Sequence, residues 1–318
     1  MSARPRVCVF APAPLLTVTI EKPSAERGDG EVHLHPGGQG FWIARMLTRL
    51  DIDVVLCAAL GGEIGPVLRQ MMVDAGITVV GVDAGSNGSY VHDRRSGTRV
   101  EVAAMPGWSL SRHTVDDLYG ATLVEALSSA VTVLSGPEEG ADVVPADLYR
   151  RLTVDIRANG GRVVADLSGD RLDAVVEGGV DVLKVSDEEL RRDGLLERGG
   201  TVEAAMQHLV EAGAGSVIVS HGDEHASALI DGELVRAVAP ALEPVETRGA
   251  GDSLTAAVTA GLARGGSLID ALRLGSAAGA LNVTRRGLGS GGRDQIERLA
   301  ERVRIEPEAN EDAEEEAS

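Results

Sequence analysis

Short runs rich in β-branched residues recur along this chain, at 131–134, 162–165, 181–185 and 216–219, with helical patterns such as 144–158 and 201–212 between them. Such alternation predicts a parallel sheet covered by helices on both faces. Beyond residue 252 the pattern turns helical, over 268–284 and 294–303. The reading is one main domain over residues 1–305, with no internal repeat and no low-complexity linker. Two segments stand outside the alternation. Residues 17–34 and 87–104 read as strands with turns, the second including the hairpin-like stretch 91–100.

A second constraint is the segment Val245-Glu246-Thr247-Arg248-Gly249-Ala250-Gly251-Asp252-Ser253, which runs straight into a helical pattern over 254–263. Backbone N–H groups at a helix start lack partners and carry partial positive charge, so they attract anions. Gly249 and Gly251 let that backbone approach an anion closely, because no Cβ intervenes. Asp252 would repel a bound phosphate at rest. Beside a cradled phosphoryl group it makes sense as a base that takes the proton of an attacking hydroxyl. A helix cap with two turn glycines is the bland alternative.

The segment resembles the signature near the C-terminus of the ribokinase-like (PfkB) carbohydrate kinases, where Gly-Ala-Gly-Asp forms an anion hole and its Asp is the base. A second signature of that family has its counterpart near the N-terminus, in Pro36-Gly37-Gly38-Gln39-Gly40-Phe41-Trp42 and then Leu60-Gly61-Gly62-Glu63-Ile64-Gly65. The resemblance spans about residues 7–299 and is nearest the phosphofructokinase-like branch. It implies an α/β fold, a ribokinase-like three-layer sandwich with a mainly parallel central sheet and a small β-sheet lid. The lid would come from 17–34 and 87–104 and be shared in a homodimer.

The same resemblance implies the site. Asp252 would be the base and Gly249, Ala250 and Gly251 the anion hole. Mg²⁺ and ATP would lie along Ser186, Glu189, Ser220, Gly222, Ser276 and Gly279, with Glu189 serving the metal. Thr17, Gly37, Gly38, Gln39 and Trp42 would hold a sugar or phosphosugar. Lys184-Val185-Ser186-Asp187-Glu188-Glu189 is similar to the family's Lys-Pro-Asn-x-x-Glu, with Ser186 replacing Asn. Asp166-Leu167-Ser168-Gly169 is similar to a strand end on the nucleotide side.

The acceptor side departs from the pattern. Thr17 replaces an acid that grips sugar hydroxyls, Gln39 stands where phosphosugar kinases often carry Lys, and Trp42 replaces a sugar-contacting Asn. Ser86-Asn87-Gly88-Ser89 is the best match to the lid's Thr-Arg-x-Asn. Arg94, Arg95 and Arg99 are candidate substitutes for the missing cations. Aromatic residues make up only 2% of the chain, yet Phe41 and Trp42 are adjacent. Successive helical positions send one into the core and the other toward a ligand face, the alternative being that both pack under the lid. These departures predict weak activity on fructose phosphates and a better acceptor with a flat or apolar face.

Charge narrows the partners. The formal net charge is −19, with seven acids and no base in 306–318, which read as a disordered acidic tail. The body stays acidic, which argues against nucleic acid. No apolar run approaches the ~20 residues of a membrane span. The N-terminus is too short in apolar residues for a signal peptide. Cys8 and Cys57 sit in apolar strand-like runs and read as buried thiols of a cytoplasmic protein. The expectation is an ATP-dependent kinase for a sugar or sugar phosphate. The alternatives are a catalytically impaired ligand-binding sensor of the same fold, or a kinase for a nucleoside-like acceptor.

Overall fold

A computed structural model describes residues 4–23, 30–137, 143–196, 199–222, 224–245, 247–285 and 288–307. In chain order the first elements are β1 (Arg6–Phe10), β2 (Leu15–Glu21), β3 (Glu31–Gly37), α1 (Gln39–Arg49), β4 (Asp53–Gly61), α2 (Ile64–Asp74), β5 (Thr78–Ala84), β6 (Gly88–Asp93) and β7 (Val100–Met105). The alternating region follows: α3 (Arg112–Ala126), β8 (Val131–Ser135), α4 (Asp147–Ala158), β9 (Val163–Asp166), α5 (Asp170–Glu177), β10 (Val182–Ser186), α6 (Asp187–Arg192), α7 (Val202–Ala212) and β11 (Ser216–His221). The last part holds β12 (His225–Ile230), β13 (Glu233–Val238), α8 (Ala250–Ala263), α9 (Leu268–Val283), α10 (Arg293–Ala300) and β14 (Arg304–Pro307).

The central sheet has ten strands in the order β14-β13-β12-β11-β10-β9-β8-β1-β4-β5. It is parallel from β11 to β5, and β12, β13 and β14 extend it antiparallel. Side chains alternate across a strand. Val7 and Val9 therefore join a core with Ile43, Ala256 and Ala277 from α1, α8 and α9. Cys8 and Phe10 point the other way, into a core with Leu118, Leu148 and Met206 from α3, α4 and α7. Helix starts are fixed locally. The Thr201 hydroxyl accepts from Ala204 N and the Ser267 hydroxyl from Asp270 N, each satisfying one unpaired N–H. No described helix is long and apolar enough to cross a membrane.

A second sheet, ordered β3-β2-β6-β7, is built from the two segments that broke the alternation; residues 24–29 of the first lie outside the described residues. Its register sets Thr17 opposite His35 and Tyr90, and Thr19 opposite His33 and His92. Thr19 Oγ1 and His92 Nε2 are 3.1 Å apart. The opposite face carries Val18, Ile20, Val32, Leu34 and Val91, with Val32 58% and Leu34 47% exposed.

The expected tail boundary falls too early. Glu306 and Pro307 belong to β14, where Glu306 pairs with Arg236 of β13 at 3.2 Å. Residues 308–318 lie outside the described residues.

Candidate active site

The floor of the site is the start of α8. Gly249 caps the helix at φ 71°, a left-handed conformation that favours glycine. The first intrahelical bond runs from Ser253 N to Gly249 O at 3.0 Å, so the N–H groups of Ala250, Gly251 and Asp252 have no helical acceptor. Asn282, buried in α9, donates to the Arg248 carbonyl at 2.8 Å and accepts from Gly289 N at 3.1 Å. That one side chain fixes the loop entering the helix.

Below the floor lies a buried charge cluster. Lys184 Nζ donates to Asp166 Oδ1 at 3.2 Å, and Thr255 donates to Asp166 Oδ2 at 2.6 Å. A Cβ on Gly251 would stand 2.7 Å from Lys184 Nζ, so this glycine makes room for the ammonium. Burial, then the Asp166 carboxylate, push the Asp252 carboxyl up to about 7, against the pull of Lys184. Burial also raises Asp166. Burial alone would lower Lys184, but Asp166, Glu189 and Asp252 together hold it above the usual lysine value.

Three cavities meet around this floor. The central one, ≈ 780 Å³, is lined by Gly38, Gln39, Trp42, Glu189, Gly249 and Asp252, with Asp166 and Arg248. A rear cavity of ≈ 280 Å³ is lined by Ser220, Gly222, Ala250, Gly251, Ser276 and Gly279. Its Ser276 hydroxyl is buried with no hydrogen-bond partner among the described residues. An outer cavity of ≈ 350 Å³ lies beneath the small sheet, lined by Thr17, Gly37, Gly38, Trp42, His33 and His35 together with Arg45, Arg94, Arg99 and Arg248. Glu21 is its one acidic residue among the described residues.

The outer cavity is therefore cationic in a strongly acidic chain. The Arg99 guanidinium lies over the Tyr90 ring at 4.6 Å, and its Nε is buried without a partner among the described residues. Arg45 lies over Trp42 at 5.6 Å. Burial, then nearby cations, lower both Arg45 and His35. Positive groups crowded this way favour an anion between them.

Most of the expected residues converge on these cavities. Phe41 is 3% exposed in the core, while Trp42 lines the central and outer cavities. Two expectations meet other roles. The Ser186 N–H and hydroxyl donate to Glu189 Oε2 at 2.8 and 2.7 Å, forming a capping box for α6, and Ser186 lines none of the three cavities. Gln39 Oε1 accepts from Gly136 N at 3.0 Å. Asn87 is structural, bonding Gly61 N, Pro14 O and Ala59 O within 2.9 Å. Arg95 pairs with Asp93 rather than lining the outer cavity. Sequence reading passed over His33, His35, Arg45 and Arg248. Only Arg248 had a local signal, its place next to the anion-hole glycine.

Comparison with known proteins bears on the family and the fold. The family model described as pfkB family carbohydrate kinase matches residues 17–295. The ATP-dependent 6-phosphofructokinase isozyme 2 of Mycobacterium tuberculosis is 30% identical over 311 residues, covering 94% of this chain and 90% of the relative. The 1-phosphofructokinase of Bacillus subtilis is 26% identical, with 85% and 88% covered. Among solved structures, phosphofructokinase-2 from Escherichia coli in complex with fructose-6-phosphate matches with TM-score 0.77 and 26% identity, covering 93% of this chain and 98% of that one.

Proposed function

The chain belongs to the pfkB family of carbohydrate kinases, and on that premise we propose that it transfers the terminal phosphoryl group of ATP to a hydroxyl of a fructose phosphate. The observation that carries this reading is the outer cavity, where four arginines and three histidines face one glutamate. A sugar phosphate brings about two negative charges, and arginine recognises them with paired hydrogen bonds. This reading replaces the expectation of a flat or apolar acceptor. The cations lost at Gln39 and at the lid motif are answered by Arg45, Arg94 and Arg99. Trp42 serves as the platform under Arg45.

In the proposed reaction the acceptor lies across Gly37, Gly38 and Thr17, with its phosphate in the outer cavity. Asp252 takes the hydroxyl proton. The free N–H groups of Ala250, Gly251 and Asp252 receive charge that develops on the phosphoryl oxygens. The nucleotide base would occupy the rear cavity, where the unpartnered Ser276 hydroxyl fits a polar ligand edge. Among the described residues no cluster of three or more His, Cys, Asp or Glu can hold a metal. That suits Mg²⁺, which is carried chiefly by phosphates and water, with Glu189 offering the carboxylate oxygen that Ser186 leaves free. When bound, the ion neutralises charge on the nucleotide phosphates.

We further propose a homodimer through the small sheet. Its apolar face, with Val32, Leu34 and Val100 each more than 40% exposed, is turned away from the outer cavity and suits a second copy of itself.

The deciding experiment is a coupled ADP-release assay over fructose 6-phosphate, fructose 1-phosphate, fructose and adenosine. Turnover of one fructose phosphate at an efficiency at least about 100-fold above fructose is expected, as two charge-assisted hydrogen bonds allow. Preference for an unphosphorylated acceptor would refute the reading.

A further inference from the structure

Four residues line both the central and the outer cavity: Gly38, Trp42, Arg248 and Leu288. They frame the window through which an acceptor hydroxyl held on the outer side reaches a phosphoryl group held over α8. Only Arg248 among them is charged. Its backbone is anchored by Asn282, and the next residue begins the anion-hole turn. Its side chain is exposed, and no ion pair or side-chain hydrogen bond engages it among the described residues.

Arg171 also lines the central cavity, and two other basic groups beside it are engaged in ion pairs. Lys184 is paired with Asp166, and Arg192 with Asp193. In the outer cavity Arg45 and Arg99 lie over aromatic rings. Around Asp252 the balance is negative, with Asp166 and Glu189 close enough to raise its proton affinity. A γ-phosphoryl group arriving there with about two negative charges needs a cation that is neither paired nor remote.

We infer that Arg248 stabilises the transferring phosphoryl group, as an arginine supplied from within the chain at the window between the two cavities. The inference rests on the kinase reading above and adds a residue to it. The acceptor oxygen forms its new bond to the γ-phosphorus as the bond from phosphorus to the β–γ bridging oxygen breaks. ADP leaves with that electron pair, and the hydroxyl proton passes to Asp252. Arg248 changes no bond. Its charge and planar donors meet the equatorial oxygens, whose charge is redistributed most at mid-transfer.

A group acting only on the transition state lowers kcat when removed, whereas one that binds the acceptor's phosphate raises KM. Wild type, Arg248→Gln, Arg248→Lys and Arg45→Gln are compared on the best fructose phosphate at saturating Mg·ATP. Arg248→Gln is expected to lower kcat about 10²–10³-fold, the range for removing one preorganised donor. Its acceptor KM should stay within about threefold, while Arg45→Gln shows the reverse split. Arg248→Lys should recover only part of the loss, since a point charge lacks the fork. A second readout is calorimetric binding of ADP with aluminium fluoride, which mimics the phosphoryl in flight, against a non-hydrolysable ATP analogue. Arg248→Gln should weaken the first and leave the second within about threefold. A loss confined to KM, or equal losses for the mimic and the ground-state analogue, would overturn the inference. So would an active wild type matched by Arg248→Gln. A wild type inactive on every sugar phosphate would instead refute the kinase reading, and the inference with it.

Discussion

The two sheets of this molecule invert each other. The central sheet is apolar on both faces and covered by helices on both, so its strands read as continuous hydrophobic runs, as in Val-Thr-Val-Leu-Ser of β8, buried throughout. The small sheet turns its polar face, with Thr17, His33 and His35, inward to a cavity and leaves Val32 and Leu34 outside. The first arrangement stabilises itself by burial and holds the strand ends and helix start that carry Asp166, Lys184 and Asp252. The second gains little from its own burial and is free to specialise in charge. In the proposed reaction the chemistry belongs to the rigid layer and acceptor choice to the cavity between the two.

Three measurements probe that division, beginning with the largest effect. Asp252→Asn, on the rigid layer, is expected to cut kcat by about 10²–10⁴ while ATP affinity changes only a few fold. Its pH dependence has a definite sign. Burial and Asp166 make Asp252 hold its proton up to about 7, and a base must be unprotonated. The kcat/KM of the wild type should therefore fall as pH drops through 7. A profile flat from pH 8 to 5 would dissociate Asp252 from the reaction.

Next comes Arg45→Gln, on the cationic cavity. It should raise KM for a fructose phosphate about 10–100-fold, because one charge-assisted hydrogen bond is worth roughly 1.5–3 kcal/mol. Turnover of unphosphorylated fructose, however slow, should not change. Equal losses for both acceptors would mean that Arg45 supports the fold instead of reading charge. The smallest effect is expected from Leu34→Arg on the outward face. It should weaken self-association about 10–30-fold by analytical ultracentrifugation, as for a central apolar contact. Melting temperature of the monomer should be unaltered. A protein that is monomeric before substitution removes the dimer from the account.

Much of the central layer was legible, because β-branched runs and intervening helices report burial directly. The start of α8 was legible too, since Gly249 and Gly251 are demanded by backbone geometry and by Lys184 beneath. Strand β14 was not, for its Glu306 and Pro307 look like the acidic tail and join the sheet only through pairing with β13. Of the cations around the outer cavity only Arg94 and Arg99 were candidates in the sequence. His33 and His35 lie on β3, Arg45 on α1, Arg94 and Arg99 between β6 and β7, and Arg248 before α8. Nothing in their spacing announces a cluster, because only the fold brings them to one wall. Reading each lost family residue singly suggested a missing phosphate site, whereas the fold gathers cations from other elements on one cavity wall, which we propose takes that role.

Gly279 sets how this molecule can exclude water. A Cβ there would stand 3.2 Å from the Ala250 carbonyl, and one on Gly275 would stand 2.7 Å from Val258 Cγ2. The two helices are therefore locked at backbone distance, and the rear cavity and anion hole form one stiff jaw. Any movement that dries the site must come from the small sheet across from it. In the proposed reaction the acceptor's own phosphate, bridging Arg94 and Arg99 to Arg45 of the body, would be the latch that draws it down. A nucleotide that arrives alone then meets a jaw with no counterpart and stays beside open water. On that reading wasteful hydrolysis would be restrained, because the reaction centre would be finished only by the molecule that receives the phosphate.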